Sequence, residues 1–203
     1  MFRAIRRTYR KHFDRKSTES LTNIIGQSNY QLLLNEVNKQ ISKSGVTVPF
    51  GITSDDLVVM YLYTHQELAV YHYRSINDVL RGASHRKSAE ILKIADLLGA
   101  ALEKLPPVKG HVFRITWLKG WLRVQHLIFS RITYHAYTSS SLLSNPPLAG
   151  NTDMFIVSKS GRDISWLSRF PSEQEVLIPH GAKFDILRTS MKSGRLQVVM
   201  KEI

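Results

Sequence analysis

Apolar residues recur at three- and four-residue spacing through the first half of the chain, which predicts helices. Phe2, Ile5, Tyr9 and Phe13 form one such stripe, over Met1–Lys16. Leu21, Ile24, Ile25, Leu32, Leu33, Val37 and Ile41 form a second, so Ser20–Ser42 reads as a helix ended by Gly45 and Pro49-Phe50-Gly51. Thr53-Ser54-Asp55-Asp56 has the capping-box pattern and opens a helix through Leu57–Thr64. A further helix contains Tyr73–Asn77 and runs to Arg81, where Gly82 stops it. The last runs from about Lys87 to Leu105, with Ile91, Ile94, Ala95, Leu98 and Leu102 inward, and stops at Pro106-Pro107.

Beyond Pro107 the texture changes. Short runs of Val, Ile, Phe and Trp alternate with Gly, Ser, Asn and Pro, the mark of strands and turns. The expected strands are His111–Trp117, Leu122–Phe129, Thr133–Ser140, Met154–Ser158, Gln174–Ile178, Lys183–Arg188 and Leu196–Lys201. No internal repeat is visible. The pattern predicts an α+β fold with a helical N-terminal lobe packed on a β-rich C-terminal lobe. Its parts would be a basic N-terminal segment over 1–18 and a single domain over 19–203, with a helical lobe at 19–108 and a β-rich lobe at 109–203.

Composition sharpens this only in part. The chain has 203 residues, 43% of them hydrophobic, enough for a substantial core. It carries 28 basic and 16 acidic residues, a net charge of +12, which favours an acidic partner: nucleic acid, an anionic membrane, an acidic protein surface or a phosphorylated ligand. Arg3, Arg6, Arg7, Arg10, Lys11, Arg15 and Lys16 make Met1–Lys16 a basic amphipathic helix. Such a helix docks on an anionic surface or, more commonly, packs its apolar stripe on the body. There is no Cys, so neither a disulfide nor a thiol nucleophile is possible. No apolar run reaches the ~20 residues of a spanning helix, and no secretory signal is visible at the N-terminus.

The chemistry centres on Glu173-Gln174-Glu175. In a strand, Glu173 and Glu175 would share a face with Cβ atoms about 6.5–7 Å apart. Mutual repulsion and lost hydration would raise the pKa of at least one carboxyl. Such a pair suits chemistry in which one group stabilises a developing cation and the other handles a proton. A solvated strand end is the commoner use of Glu-x-Glu by itself. Dinucleotide-fold glycine motifs, phosphate-loop motifs and the zinc-protease motif are absent. The 8 His are scattered, with His65 and His72 expected on the surface or in packing. Ser139–Ser141 lacks a nucleophile elbow. Trp117, Trp121 and Trp166 could stack bases but read more simply as core or cleft-wall residues.

The run Gly161-Arg162-x-Ile164-x-x-Leu167-Ser168-x-Phe170-Pro171-x-Glu173-x-Glu175-Val176-Leu177-x-Pro179 closely resembles the catalytic loop and strand of mono-ADP-ribosyltransferases. It is similar to the branch with an Arg…Ser-Thr-Ser…Glu-x-Glu signature, seen in clostridial binary toxins and related bacterial effectors. His111-Val112-Phe113-Arg114-Ile115 meets the strand that ends in Arg, and Tyr137-Thr138-Ser139-Ser140-Ser141-Leu142 meets the Ser-Thr-Ser strand, with Ser in place of the middle Thr.

The resemblance implies a helical lobe on a mixed two-sheet sandwich that holds NAD as co-substrate, without metal. It assigns Glu175 to the ribose and its cation, and Glu173 to the acceptor guanidinium. Arg114 would hold the phosphates or ribose of the dinucleotide, Ser139 would orient Glu175, and Ser140 and Ser141 would brace the strand. Phe170 matches the aromatic of the loop that meets the target. Tyr63, Tyr73 and Asn77 match helix residues that contact the dinucleotide, with His65–His72 standing as an insertion.

The implied function is transfer of ADP-ribose to arginine of a target protein, with NAD glycohydrolase side activity. The enzyme would be a secreted or delivered toxin acting in the cytoplasm of a target cell. An RNA or DNA acceptor, or a non-catalytic basic nucleic-acid- or membrane-binding module, would use the charge differently. An acidic immunity protein is an expected partner on electrostatic grounds.

Overall fold

The structure, a computed structural model, describes residues 20–65, 70–83 and 85–203. The expected basic helix over Met1–Lys16 lies outside the described residues. These residues fall into two compact units that divide between Lys104 and Leu105.

The first unit is helical: α1 (Leu21–Ile25), α2 (Gln27–Ser44), α3 (Ser54–Thr64), α4 (Tyr73–Leu80) and α5 (Ser88–Glu103). The helix expected over Ser20–Ser42 is two. Gly26 sits between them at φ 84, ψ 148, a conformation open to glycine and closed to side chains with a Cβ. Helix α3 starts as its capping box predicts. Thr53 Oγ1 accepts from the Asp56 amide (3.3 Å), and Asp56 Oδ2 accepts from the Thr53 amide (2.7 Å). Every residue of α3 from Asp56 to Thr64 is buried, because α2 and α5 pack against it. A helix apolar all round must be enclosed.

The second unit contains β1 (Pro107–Thr116), α6 (Gly120–Ile128), β2 (Arg131–Thr133), β3 (Thr138–Ser141), β4 (Thr152–Asp163), β5 (Glu175–Ile178), β6 (Lys183–Lys192) and β7 (Arg195–Glu202). The strands are connected by hydrogen bonds in the order β1-β3-β5-β4-β7-β6-β2. β1 also pairs with β4, so β1, β3, β5 and β4 close into a ring. Among the described residues, β4 and β7 run parallel and the other pairs are antiparallel. Val112, Met154, Ile156, Val176, Ile178, Phe184, Leu196, Val198 and Met200 alternate inward and build the core.

Two expected strands are corrected. Leu122–Ile128 is helical, within α6, and Phe129 follows it in an extended conformation. The apolar run is too short for length to separate helix from strand, and Gly120 at φ 49 turns the chain into the helix. Thr133–Ser140 is broken into the end of β2 and the start of β3. Between them the Tyr134 amide and carbonyl bond to Ala182 and Gly181 instead (2.9 and 2.7 Å).

At the crossing of β4 and β5, Gly161 has no room for a side chain. A Cβ there would lie 2.7 Å from Ser158 Oγ and 2.8 Å from Val176 Cγ1. That close approach brings the end of β4 against β5, where Arg162 pairs with Leu177.

Candidate active site

The ring of strands decides which side chains meet. β3 lies beside both β1 and β5. Ser141 is directly opposite Glu175, and Ser139 is opposite Leu177. Side chains alternate along a strand, so Ser139, Ser141 and Glu175 share a face, with Ser139 the diagonal neighbour of Glu175. Ser140 points to the other face, opposite Val176, and its buried hydroxyl has no hydrogen-bond partner.

Glu175 is only 7% exposed, and both its carboxylate oxygens are engaged. Oε1 accepts from Ser139 Oγ at 2.7 Å and Oε2 from Ser168 Oγ at 3.2 Å. The Glu175 carbonyl accepts from the Ile164 amide (3.0 Å), which ties the 164–168 turn to β5. Ser168 is fully buried and locked in that turn by its amide to the Ile164 carbonyl (2.8 Å). Arg114, on β1, donates through Nη1 to the Ser139 carbonyl. Arginine, serine and glutamate are thus placed together on three neighbouring strands.

Burial pushes the Glu175 carboxyl above the ordinary carboxylate range. The two serine hydroxyls pull it back, the charge of Glu173 adds to the rise, and Arg114 opposes it. The result is a buried acid clamped by two hydroxyls beside a guanidinium.

Glu173 is not where the strand pattern put it. β5 begins at Glu175, and Glu173 ends a 3₁₀ turn over Pro171–Glu173. Gln174 between them adopts a left-handed conformation (φ 46, ψ 56), so no strand alternation relates the two acids. The turn is held by hydrogen bonds to β3 and its continuation. Ser141 Oγ donates to the Glu173 carbonyl (2.6 Å) and the Leu142 amide to the Gln174 carbonyl (3.1 Å). Ser141 therefore fastens the acid-bearing loop. The Glu173 side chain is half-buried, and desolvation raises its pKa too. Phe170 opens the turn, 39% exposed, with the Arg169 guanidinium 6.0 Å from its ring centre.

Tyr63, Tyr73 and Asn77 cluster in the helical unit. Asn77 Nδ2 donates to the Tyr63 hydroxyl at 2.9 Å, and the two tyrosine rings are 6.2 Å apart. Tyr63 and Asn77 are buried. His65 is buried at the end of α3, and His72 caps α4 by accepting from the Arg74 amide (3.0 Å). Among the described residues no group of His, Asp or Glu could hold a metal ion.

Ser168 lies within the motif, whose pattern alone assigns it no function. Its link to Glu175 depends on a turn that folds back over β5, which spacing along the chain does not reveal. Trp117 and Trp121, expected in the core or a cleft wall, are instead exposed.

A buried carboxylate braced by hydroxyls, next to an arginine, suits a transferase that works through a glycosyl cation. The chain belongs to the NAD:arginine ADP-ribosyltransferase family, whose profile matches residues 5–203. It is 34% identical over 157 residues to a Mycobacterium avium protein provisionally named NAD(+)--arginine ADP-ribosyltransferase Mav, covering 74% of this chain and 18% of that protein. It is 24% identical over 184 residues to NAD(+)--protein-arginine ADP-ribosyltransferase Tre1 of Serratia proteamaculans, covering 91% of this chain and 40% of Tre1. The chain thus spans less than half the length of either relative. The crystal structure of ADP-ribosyltransferase HopU1 of Pseudomonas syringae pv. tomato shares the fold, with a TM-score of 0.65 at 21% identity over 87% of this chain and 97% of that one.

Proposed function

We propose that this chain transfers ADP-ribose from NAD to the guanidinium of an arginine on a target protein. The observation that carries the reading is Glu175, buried, bonded to Ser139 and Ser168, and set beside Arg114. NAD supplies the ADP-ribosyl group, with nicotinamide as the leaving group.

Glu175 sets negative charge where the ribose becomes cationic as the C–N glycosidic bond breaks. The bond's electron pair leaves with nicotinamide, which becomes neutral. Charge fixed in a site closed to water stabilises such a cation more than charge in water does. Arg114 presents a rigid fork suited to phosphate or ribose oxygens. The new bond joins the ribose carbon to an arginine nitrogen, and the proton lost from that nitrogen goes to Glu173. Arginine's pKa exceeds ~12, so this proton must leave as the bond forms. The raised pKa of Glu173 makes it the better base for the task.

Ser168 holds Glu175 in its charged, oriented form. Ser168→Ala removes a hydroxyl that lowers the Glu175 pKa, so the acid limb of the activity profile should move to higher pH. Transfer at neutral pH should fall about tenfold, the worth of one hydrogen bond to a charged group. A pH–rate profile that keeps its acid limb in place would remove Ser168 from this role.

Incubation with NAD labelled in the adenylate and a cell lysate tests the activity itself. The label should enter protein, resist nuclease, and be competed by a free alkylguanidine. Nuclease-sensitive label would make a nucleic acid the acceptor, a reading motivated by the charge of +12. The same charge suits inhibition by an acidic antidote protein, and the family setting suits delivery of the enzyme into another cell.

A further inference from the structure

Helix α6 carries its apolar residues on the wrong side for an ordinary surface helix. At 3.6 residues per turn, Trp121, Val124, Leu127 and Ile128 fall within an arc of about 120°. All four are exposed, Trp121 by 60% and Ile128 by 58%. His126, on the opposite side, is the one buried residue of the helix. It is pinned inward through Nδ1 to the Leu122 carbonyl (2.7 Å) and Nε2 to the Tyr134 hydroxyl (2.6 Å). Polar bonding therefore seats the helix, and its apolar stripe faces out. A surface helix usually shows the reverse.

The flanks extend the same surface. Trp117 precedes the helix and Phe129 follows it, both exposed, and the Phe129 and Trp121 rings meet edge to face at 6.2 Å. Lys119, Arg123 and Arg131 interleave with these side chains, and Arg131 also pairs with Asp185 (2.7 Å). Between Glu103 and Asp153 the sequence has no acidic residue at all. Along β6, which α6 contacts, Leu187, Arg188, Met191 and Lys192 are exposed as well.

We propose that α6 and its flanks form a docking surface for an anionic lipid bilayer. The helix would lie in the plane of the headgroups, its outward stripe entering the acyl boundary. The chemistry matches on both counts. Tryptophan favours the boundary between headgroups and hydrocarbon. Basic residues at the rim are attracted to the negative charge of an anionic leaflet. A stripe of this kind with no carboxylate in its segment fits an extended sheet of negative charge. Protein interfaces, by contrast, are typically depleted of lysine. Such docking would concentrate the enzyme on a surface where membrane-associated targets lie.

The test is sedimentation of the full chain with phosphatidylcholine vesicles, with and without phosphatidylserine. The wild type should sediment with the phosphatidylserine vesicles, less so as salt rises, and far less with phosphatidylcholine alone. Leu127→Ser with Ile128→Ser should weaken vesicle affinity roughly tenfold or more, because each buried side chain supplies a large share of the apolar contact. Both positions are exposed, so the melting temperature should stay unchanged. Comparing this variant with the wild type separates α6 from the other basic segments of the chain. Equal sedimentation of variant and wild type, equal binding to both vesicle types, or no binding would overturn the proposal. So would a wild-type dimer that the substitution dissociates, since the stripe would then be covered by a second copy.

Discussion

Replacing Glu175 by Gln is expected to cost two or more orders of magnitude in both ADP-ribose transfer and NAD hydrolysis, while the protein becomes harder to melt at neutral pH. The loss follows from removing the charge proposed to face the ribosyl cation. Single preorganised electrostatic groups in enzyme sites are worth ~10²–10³ in rate. The gain follows from the same burial. Glu175 is 7% exposed, and desolvation raises its carboxyl above the ordinary value of 4.5.

A carboxyl raised on folding binds its proton more tightly in the folded protein. The stability this contributes is fully present below the unfolded pKa and is lost as pH rises through the folded one. Glutamine cannot ionise and escapes that loss. The melting temperatures of wild type and variant should therefore diverge as pH climbs from the ordinary carboxylate value toward neutrality. Each unit of upward shift is worth about 1.4 kcal/mol, enough to move the midpoint by a few degrees. Wild-type activity should fall over the same window as acid protonates Glu175. Calorimetry and rate profiles across that range check both halves. A variant less stable than the wild type at every pH, or one that keeps its activity, contradicts the account.

Glu173→Gln should separate the two reactions. Transfer to arginine is expected to fall by ~10²–10⁴, the usual contribution of a positioned general base. NAD hydrolysis should change by only a few-fold, because it needs no proton from a guanidinium. The structure gives a reason to expect independence. Glu173 stands on a 3₁₀ turn outside the strand that carries Glu175, and Gln174 in a left-handed conformation intervenes. Its half-buried carboxyl is raised by desolvation, so a base of above-normal pKa is ready at the loop. Equal losses in transfer and hydrolysis would show that the two acids act as one unit.

Helix α3 and its capping box were legible because the whole signal is local: one threonine and one aspartate at fixed spacing. The association of Arg114, Ser139 and Glu175 was legible only through resemblance to a known pattern. Nothing in their separate spacings places β3 between β1 and β5. Helix α6 was misread because a short apolar run has no length signal, and its stripe faces outward instead of reporting a core. Glu173 was misread because the alternation rule was carried two residues back beyond the true start of β5. Ser168 went unassigned because its hydroxyl reaches Glu175 through a turn folded back over the strand.

The sequence by itself determined the change from helices to strands, the excess of positive charge and the residue types able to stabilise a cation. These follow from local periodicity, formal charge and side-chain chemistry, which need no partner to be defined. Only the tertiary structure decided that Glu175 has both oxygens filled, that Glu173 stands apart on a turn, and that α6 shows its apolar face to the outside. Each of those depends on segments distant in the chain meeting through strand pairing, loop closure or burial, and no single stretch of residues contains that information.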